Sequence, residues 1–447
     1  MRTALANVDA AWFRMDEPAN PMVVTGVLIL GRPVTVTRVR GLVKERLLRF
    51  ARFRQRVIQS PGPLGGLAWE DDPRFSLEHQ VVIERLPAGA GDVELQEFIG
   101  ALATRPFPEG RPPWRIHLVP RFRGGSAIIV RIHHCVADGL ALVHVLLSLA
   151  DGAPDPTVAR LPDELRPSRW ELVRASVVAA RRVLPVGAEH LAALVRLLLL
   201  SPDPPTRFKG PLGMQKRLVW SRAFRLEDFK RLGRASGATV NDVLMSALAG
   251  ALRRYLLEHG STTRALDIRG VVPVNLRQAG DAHLLGNRFG LVFLQLPLGP
   301  GRPEARLEEV RKRMRALKQT PGAAATFELL WVLGVAPRLL FDAIIDLFAT
   351  KATAVVTNVI GPEKPLSILG APLRQAMFWV PCAGHLGLGV SLLSYSGQLW
   401  VGVHSDASLV PDPERIVSAF EHEVDALAAA TGVGSRARRE RAKAVAR

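Results

Sequence analysis

Cysteine is nearly absent. Cys135 and Cys382 are the two in 447 residues, too few and too scattered for a disulfide framework or a cysteine-based zinc site, and a reducing cytoplasm is the expected setting. Tyrosine is as scarce, and neither zinc-finger spacing nor an RNP-like aromatic motif occurs, which argues against a nucleic-acid binder. The absence of G-x-S-x-G and of a Walker phosphate loop disfavours a serine hydrolase and a P-loop enzyme. Charge is missing from Gln375 to Ser405, a length that could cross a bilayer. Pro381, Gly384, Gly387, Gly389, Gly397 and Gly402 interrupt that stretch, however, and "LGVSLLSYSGQLWVGVHSD" reads as two short buried strands around a Ser-Gly turn. No transmembrane helix is expected. The start, "MRTALANVDAAWFRMDEP", has Asp9, Asp16 and Glu17 and no continuous apolar core, so no secretory signal is expected either.

Against those absences stand an apolar content of 48%, 22% charged residues and a formal charge of +18. The first two numbers describe a globular chain, long enough for two domains. The third asks for an anionic partner: nucleic acid, a phospholipid surface or a phosphorylated small molecule. Part of the surplus sits in the tail "SRARRERAKAVAR", whose plainer reading is a frayed, solvated end.

Strand and helix signals alternate through the first part. "PMVVTGVLIL" and "GSAIIVRIHHC" read as strands, "RVRGLVKERLLRFARFRQRV" as a basic amphipathic helix and "LALVHVLLSLA" as a second helix. Proline-rich stretches at 154–167 and 202–211 bracket two apolar helical pieces edged by Arg174, Arg181, Arg182 and Arg196, suited either to packing between domains or to a lipid interface. Later, "TVNDVLMSALAGALRRYLLEHG" and "RLEEVRKRMRAL" read as helices and "TAVVTNVIG" as a strand. The expected division is a mixed α/β domain over 1–160, a Pro-rich helical linker over 161–214, a second such domain over 215–434 and a basic tail over 435–447.

The chemistry concentrates in "RIHHCVADG". Side chains alternate in an extended segment, so Ile128, Val130, Ile132 and His134 share one face while Arg131 and His133 share the other. Rings pointing apart make poor ligands for one metal, and no third ligand stands at zinc spacing. His134 is the candidate general base, because a near-neutral imidazole at a strand end suits proton abstraction from a hydroxyl. Asp138, before Gly139, either orients an imidazole or holds the turn; the architectural role is the expected one.

Two histidines, three variable residues and Asp-Gly resemble the signature of the CoA-dependent acyltransferase superfamily, which includes chloramphenicol acetyltransferase and condensation domains. Within it the chain is similar over nearly its whole length to the bacterial wax ester synthase/diacylglycerol acyltransferase family. The blocks "DAAWFRMDEPANPM" and "RPPWRIHLV" precede the signature, with Pro113 in place of the usual leucine. "TVNDVLM", "VVPVNLR", "LGNRFG" and "TNVIGPEKPL" follow in the family's order, and Cys135 replaces a commoner alanine. The resemblance implies two chloramphenicol-acetyltransferase-like sheet-and-helix domains with an active-site tunnel between them. It further implies His134 as the base with no acyl-enzyme, His133 and Asp138 beside it, Gly139 and Asp242 as structural motif residues, and Asn241, Asn275, Asn287 and Asn358 near substrate. Simpler roles compete: Asp242 with Thr239 forms a capping-box pattern, and Asn287 beside Gly286 suits a left-handed turn. The implied reaction moves a fatty acyl group from acyl-CoA, as substrate and with no cofactor, to diacylglycerol or a long-chain alcohol. The implied setting is cytoplasmic, at the inner membrane face or a lipid droplet. The alternatives are an acyltransferase for another hydroxyl acceptor and a non-catalytic lipid or CoA binder.

Overall fold

The computed structural model describes residues 2–59, 66–138, 142, 148–152, 195–276, 286–318, 322–382 and 384–433. The linker pieces over 161–194, the tail 435–447, Gly139 and most of the helix expected at 140–150 lie outside them.

Two mixed sheets organise the molecule. The first runs β13 (Ser367–Ile368), β14 (Ala371–Trp379), β2 (Val23–Leu30), β7 (Gly125–His133), β6 (Trp114–Phe122), β5 (Val81–Ile83). Every residue of β2 and β7 is buried, which is why both read as nearly unbroken apolar runs. The second sheet runs β11 (Phe289–Pro297), β10 (Asp267–Asn275), β12 (Ala354–Ile360), β15 (Leu388–Tyr395), β16 (Gln398–Asp406), β8 (Lys216–Trp220), with β9 (Phe224–Arg225) on β16. A small sheet joins β1 (Arg2–Ala4), β4 (Leu67–Asp71) and β3 (Gln55–Gln59). The charge-free segment is therefore three strands, β14 to β16, each covered by neighbours.

Among the described residues the helices of seven residues or more are, in chain order, α1 (Asn7–Arg14), α2 (Val36–Leu42), α3 (Asp92–Ala103), α4 (Leu226–Ser236), α5 (Val240–Glu258), α6 (Pro303–Lys318), α7 (Gly322–Leu333), α8 (Arg338–Thr350) and α9 (Pro413–Ala430). Leu244, Leu248, Ala251 and Tyr255 of α5 are fully buried and form one core with Leu307 and Val310 of α6 and Phe420 of α9. Their 3–4-residue spacing is what made these helices readable.

Strands β13 and β14 come from the second part of the chain yet complete the first sheet, with β14 antiparallel to β2. Trp379, the last residue of β14, donates from Nε1 to the Val219 carbonyl on β8 at 3.2 Å, and its ring lies 5.8 Å from Trp220. This strand thus bonds to one sheet and packs on the other, fixing the distance across the cleft. The long helix expected over 38–57 is instead α2, a π turn at Val43–Leu47, a 3₁₀ turn at Ala51–Arg54 and then β3. In the 3₁₀ turn Arg52 reaches Asp9 while Phe53 fills the core.

Candidate active site

β7 ends at His133, and both histidine backbones are pinned. His133 N–H donates to the Pro113 carbonyl at 2.9 Å and His134 N–H to the Met22 carbonyl at 2.7 Å. The rings diverge, as strand alternation requires. Cys135 N–H donates to His133 Nδ1 at 3.1 Å, so that nitrogen is the acceptor and Nε2 carries the proton, 3.3 Å from Asp16 Oδ1. The His133 ring lies beside Phe13. His134 instead lines a cavity of about 880 Å³, open mouth included, together with Trp12, Asp138, Asn275, Thr357 and Asn358.

Trp12 stacks on His134, with ring centroids 4.3 Å apart and planes 20° apart, and Phe289 tilts against it at 5.6 Å. His134 Nδ1 is buried with no protein partner. Burial lowers the pKa of His134 to about 4, against the opposing pull of the Asp138 carboxylate, so the ring is neutral at physiological pH.

The segment 286–288 clamps the histidine turn from the second sheet. Ala137 bridges Gly286 in parallel, and Arg288 N–H donates to Asp138 Oδ2 at 3.0 Å. Gly286 adopts φ 101°, a left-handed conformation that disfavours any side chain. Asn287 Nδ2 donates to the His134 carbonyl at 2.9 Å and to Asp9 Oδ1 at 2.8 Å. Asp9, fully buried, also takes the Arg52 guanidinium at 2.7 Å. A buried chain of contacts therefore runs from Arg52 through Asp9 and Asn287 to the backbone of His134.

The other sequence candidates separate into two groups. Asn275 and Asn358 face the cavity, and Asn358 Nδ2 donates to Asn241 Oδ1 at 3.2 Å, which brings the start of α5 to the rim. Asp242 is turned to its own helix: Thr239 N–H donates to Asp242 Oδ2 at 2.8 Å and Asp242 N–H to Thr239 Oγ1 at 3.2 Å, a complete capping box. Asn287 stands behind the histidine turn, with its amide spent on Asp9 and a backbone carbonyl. Sequence reasoning gave no role to Trp12, Phe289, Asp9 or Arg52. Their signal is three-dimensional, since α1, β11 and the 3₁₀ turn meet only in the fold. Both cysteines are buried thiols; burial raises the pKa of Cys382 to about 12 and that of Cys135 well above its ordinary value, which makes them packing groups.

Two further apolar cavities flank the histidine. The first, about 900 Å³ with its mouth, is lined by Val24, Val130, Ile132, Gly361, Phe378 and other apolar groups. It shares no lining residue with the His134 cavity, but Val130 and Ile132 in its wall precede His134 on the same face of β7. The second, about 600 Å³, lies between α7 and α8 and shares Trp12, Val271 and Leu291 with the His134 cavity. Among the described residues no group of three or more His, Cys, Asp or Glu is placed to hold a metal ion, and no helix is long and apolar enough to cross a membrane.

A neutral histidine lining a largely apolar cavity between two mixed sheets fits a two-lobed acyltransferase of the CoA-dependent type, and comparison with known proteins agrees. Residues 5–244 match the wax ester synthase/diacylglycerol acyltransferase catalytic domain and residues 285–428 the WS/DGAT C-terminal domain. The chain belongs to the wax ester synthase/diacylglycerol acyltransferase family. A Mycobacterium tuberculosis protein named "Probable diacyglycerol O-acyltransferase tgs1" is 29% identical over 408 residues, covering 86% of each chain. In fold, the chain is similar to the wax ester synthase/diacylglycerol acyltransferase of Marinobacter aquaeolei VT8, with a TM-score of 0.70, 22% identity and coverage of 96% and 100% of the two chains. The starter condensation domain of rhizomide synthetase, solved with C8-CoA, gives a TM-score of 0.61 at 14% identity, covering 96% and 95%.

Proposed function

We propose that this enzyme transfers a fatty acyl group from acyl-CoA directly to the hydroxyl of diacylglycerol or a long-chain alcohol, with His134 as general base. The observation that carries this reading is a neutral imidazole lining a cavity that shares Trp12, Val271 and Leu291 with a neighbouring apolar cavity. Two long chains need two apolar sites that meet at one polar group, since burying alkyl surface gains about 25 cal/mol per Å². The neutral imidazole takes the hydroxyl proton as the oxygen attacks the thioester carbonyl; the carbon–sulfur bond breaks, and the imidazolium returns the proton to the departing CoA sulfur. Asp138 favours that transient imidazolium electrostatically, while its carboxylate also holds Arg288 N–H. Asn287, Asp9 and Arg52 position the turn, His133 packs on Phe13 of α1 and faces Asp16 just beyond it, and Asn241, Asn275 and Asn358 supply polar groups at the rim. The 1–160 and 215–434 division supplies the two walls, and association with an anionic lipid surface suits the +18 charge.

The test is incubation of purified protein with palmitoyl-CoA and, separately, hexadecanol or dioleoylglycerol, following CoA release and separating the lipids. Ester formed with either acceptor supports the reading; CoA release without ester, or none at all, contradicts it. The pH dependence sharpens the test. A base must be neutral, so activity is present above the His134 pKa and lost as pH falls through about 4, in contrast to an exposed histidine with a midpoint near 6.5. A stopped assay over a pH series locates that limb.

A further inference from the structure

We infer that the outer face of α8, with the segment 195–200 beside it, docks on an anionic lipid surface, and that the acceptor enters through the cavity beneath α8. The inference rests on the acyl-transfer reading for the acceptor's identity. On a helical projection Leu339, Leu340, Ala343 and Leu347 fall within one arc of about 100°, the width of an apolar stripe that normally faces a core. Here that arc faces outward: Leu339 is 87% exposed, Leu340 and Leu347 are exposed, and Val335 before the helix is 56% exposed. The opposite arc, with Phe341, Ile345 and Phe348, faces inward, and two of these line the cavity shared with Trp12.

The patch does not end with the helix. Lys351 Nζ donates to the Leu198 and Leu200 carbonyls, which holds Leu198 and the 79%-exposed Leu199 near the C-terminal end of α8. At 1.5 Å per residue the helix alone extends this face by about 20 Å. Apolar surface of this extent on a folded chain marks a contact surface.

Charge selects a lipid as the occupant. The carboxylates along the edge of the stripe are already paired: Arg338 holds Asp342 at 2.8 Å and His385 holds Asp346 at 2.7 Å. Exposed Arg196 flanks the leucines, and a chain of charge +18 repels its own copy while an anionic membrane attracts it. One helix therefore separates the lipid surface from a cavity that shares Trp12 as a wall with the cavity lined by His134. An acyl acceptor could pass from bilayer to base without crossing water.

The test is flotation of the full chain with mixed phosphatidylcholine/phosphatidylglycerol vesicles, comparing the wild type, the double variant Leu339→Asp/Leu340→Asp and the apolar control Leu339→Met/Leu340→Met. Both positions are exposed and lie in the first turn of α8, where aspartate suits the helix dipole, so the fold is retained. The wild type and the methionine control are expected to float, and the aspartate variant to partition at least about tenfold more weakly. Transfer to dioleoylglycerol held in vesicles should fall in parallel, while transfer to a water-soluble short-chain alcohol is unchanged. Equal flotation of the aspartate variant, no flotation of the wild type, or a wild-type dimer that the aspartates dissociate would overturn the inference. A wild type that floats normally but transfers to neither acceptor would refute acyl transfer and leave the docking surface standing.

Discussion

Replacing His134 with alanine is expected to give a folded protein that forms ester about 10²–10⁴ times more slowly, the contribution of a positioned base. The fold survives for a local reason. The His134 ring borders an existing cavity and its Nδ1 makes no hydrogen bond of good geometry, so truncation mainly enlarges a space already open. His133→Ala should cost less activity, because its ring faces Asp16 and Phe13, away from the cavity. Acid titration supplies an independent readout. Burial lowers His134 to about 4 from an ordinary value near 6.5, so the unfolded state binds the extra proton between those values. That group's contribution to stability is present above 6.5 and is lost as pH falls through about 4. His134→Ala should remove part of this acid slope, while buried His404, also lowered to about 4, keeps its share. Thermal melts of both proteins across a pH series measure it; equal slopes, or full turnover by the alanine variant, would contradict the role given to His134.

The second large effect falls on a residue that touches no substrate. Asp9→Ala should destabilise the protein by about 3–5 kcal/mol, because Arg52 would remain charged and buried without its partner. Against a total stability of roughly 5–15 kcal/mol this is enough to threaten folding at physiological temperature. Asn287 would lose Asp9 as acceptor for both its backbone N–H and its Nδ2, loosening the amide that also holds the His134 carbonyl, so transfer by the folded fraction should fall as well. The double change Asp9→Leu/Arg52→Met removes both charges and should recover much of the stability but not the activity. Denaturant unfolding of the single and double variants separates the two effects. A loss below about 1 kcal/mol for Asp9→Ala would place the pair among ordinary surface bridges.

How much of this was legible in the sequence follows the range of the interactions. Helices α5 and α6 could be read because their buried residues recur every three to four positions, and strands β2, β7, β12, β15 and β16 because they are short, nearly unbroken apolar runs. The divergence of His133 and His134 was legible because side chains alternate along a strand, and the capping box at Asp242 is a four-residue pattern. The stretch 38–57 misled: its basic amphipathic pattern fits a helix, but Arg52 answers to Asp9, more than forty residues away. Partner choice was equally out of reach. Nothing within β14 states that it pairs with β2, more than three hundred residues earlier, or that its Trp379 seats on β8. Trp12 and Phe289 stayed hidden because aromatic stacking on an imidazole needs only proximity, which carries no sequence period.

Direct attack by the acceptor can be separated from a covalent route by incubating the enzyme with radiolabelled palmitoyl-CoA, with and without hexadecanol, and counting label on the denatured protein. With His134 acting only on protons, the protein should stay unlabelled in both cases and CoA should appear in step with ester. Label retained on the chain when acceptor is withheld, released on its addition, would show an acyl-enzyme and contradict the base role of His134.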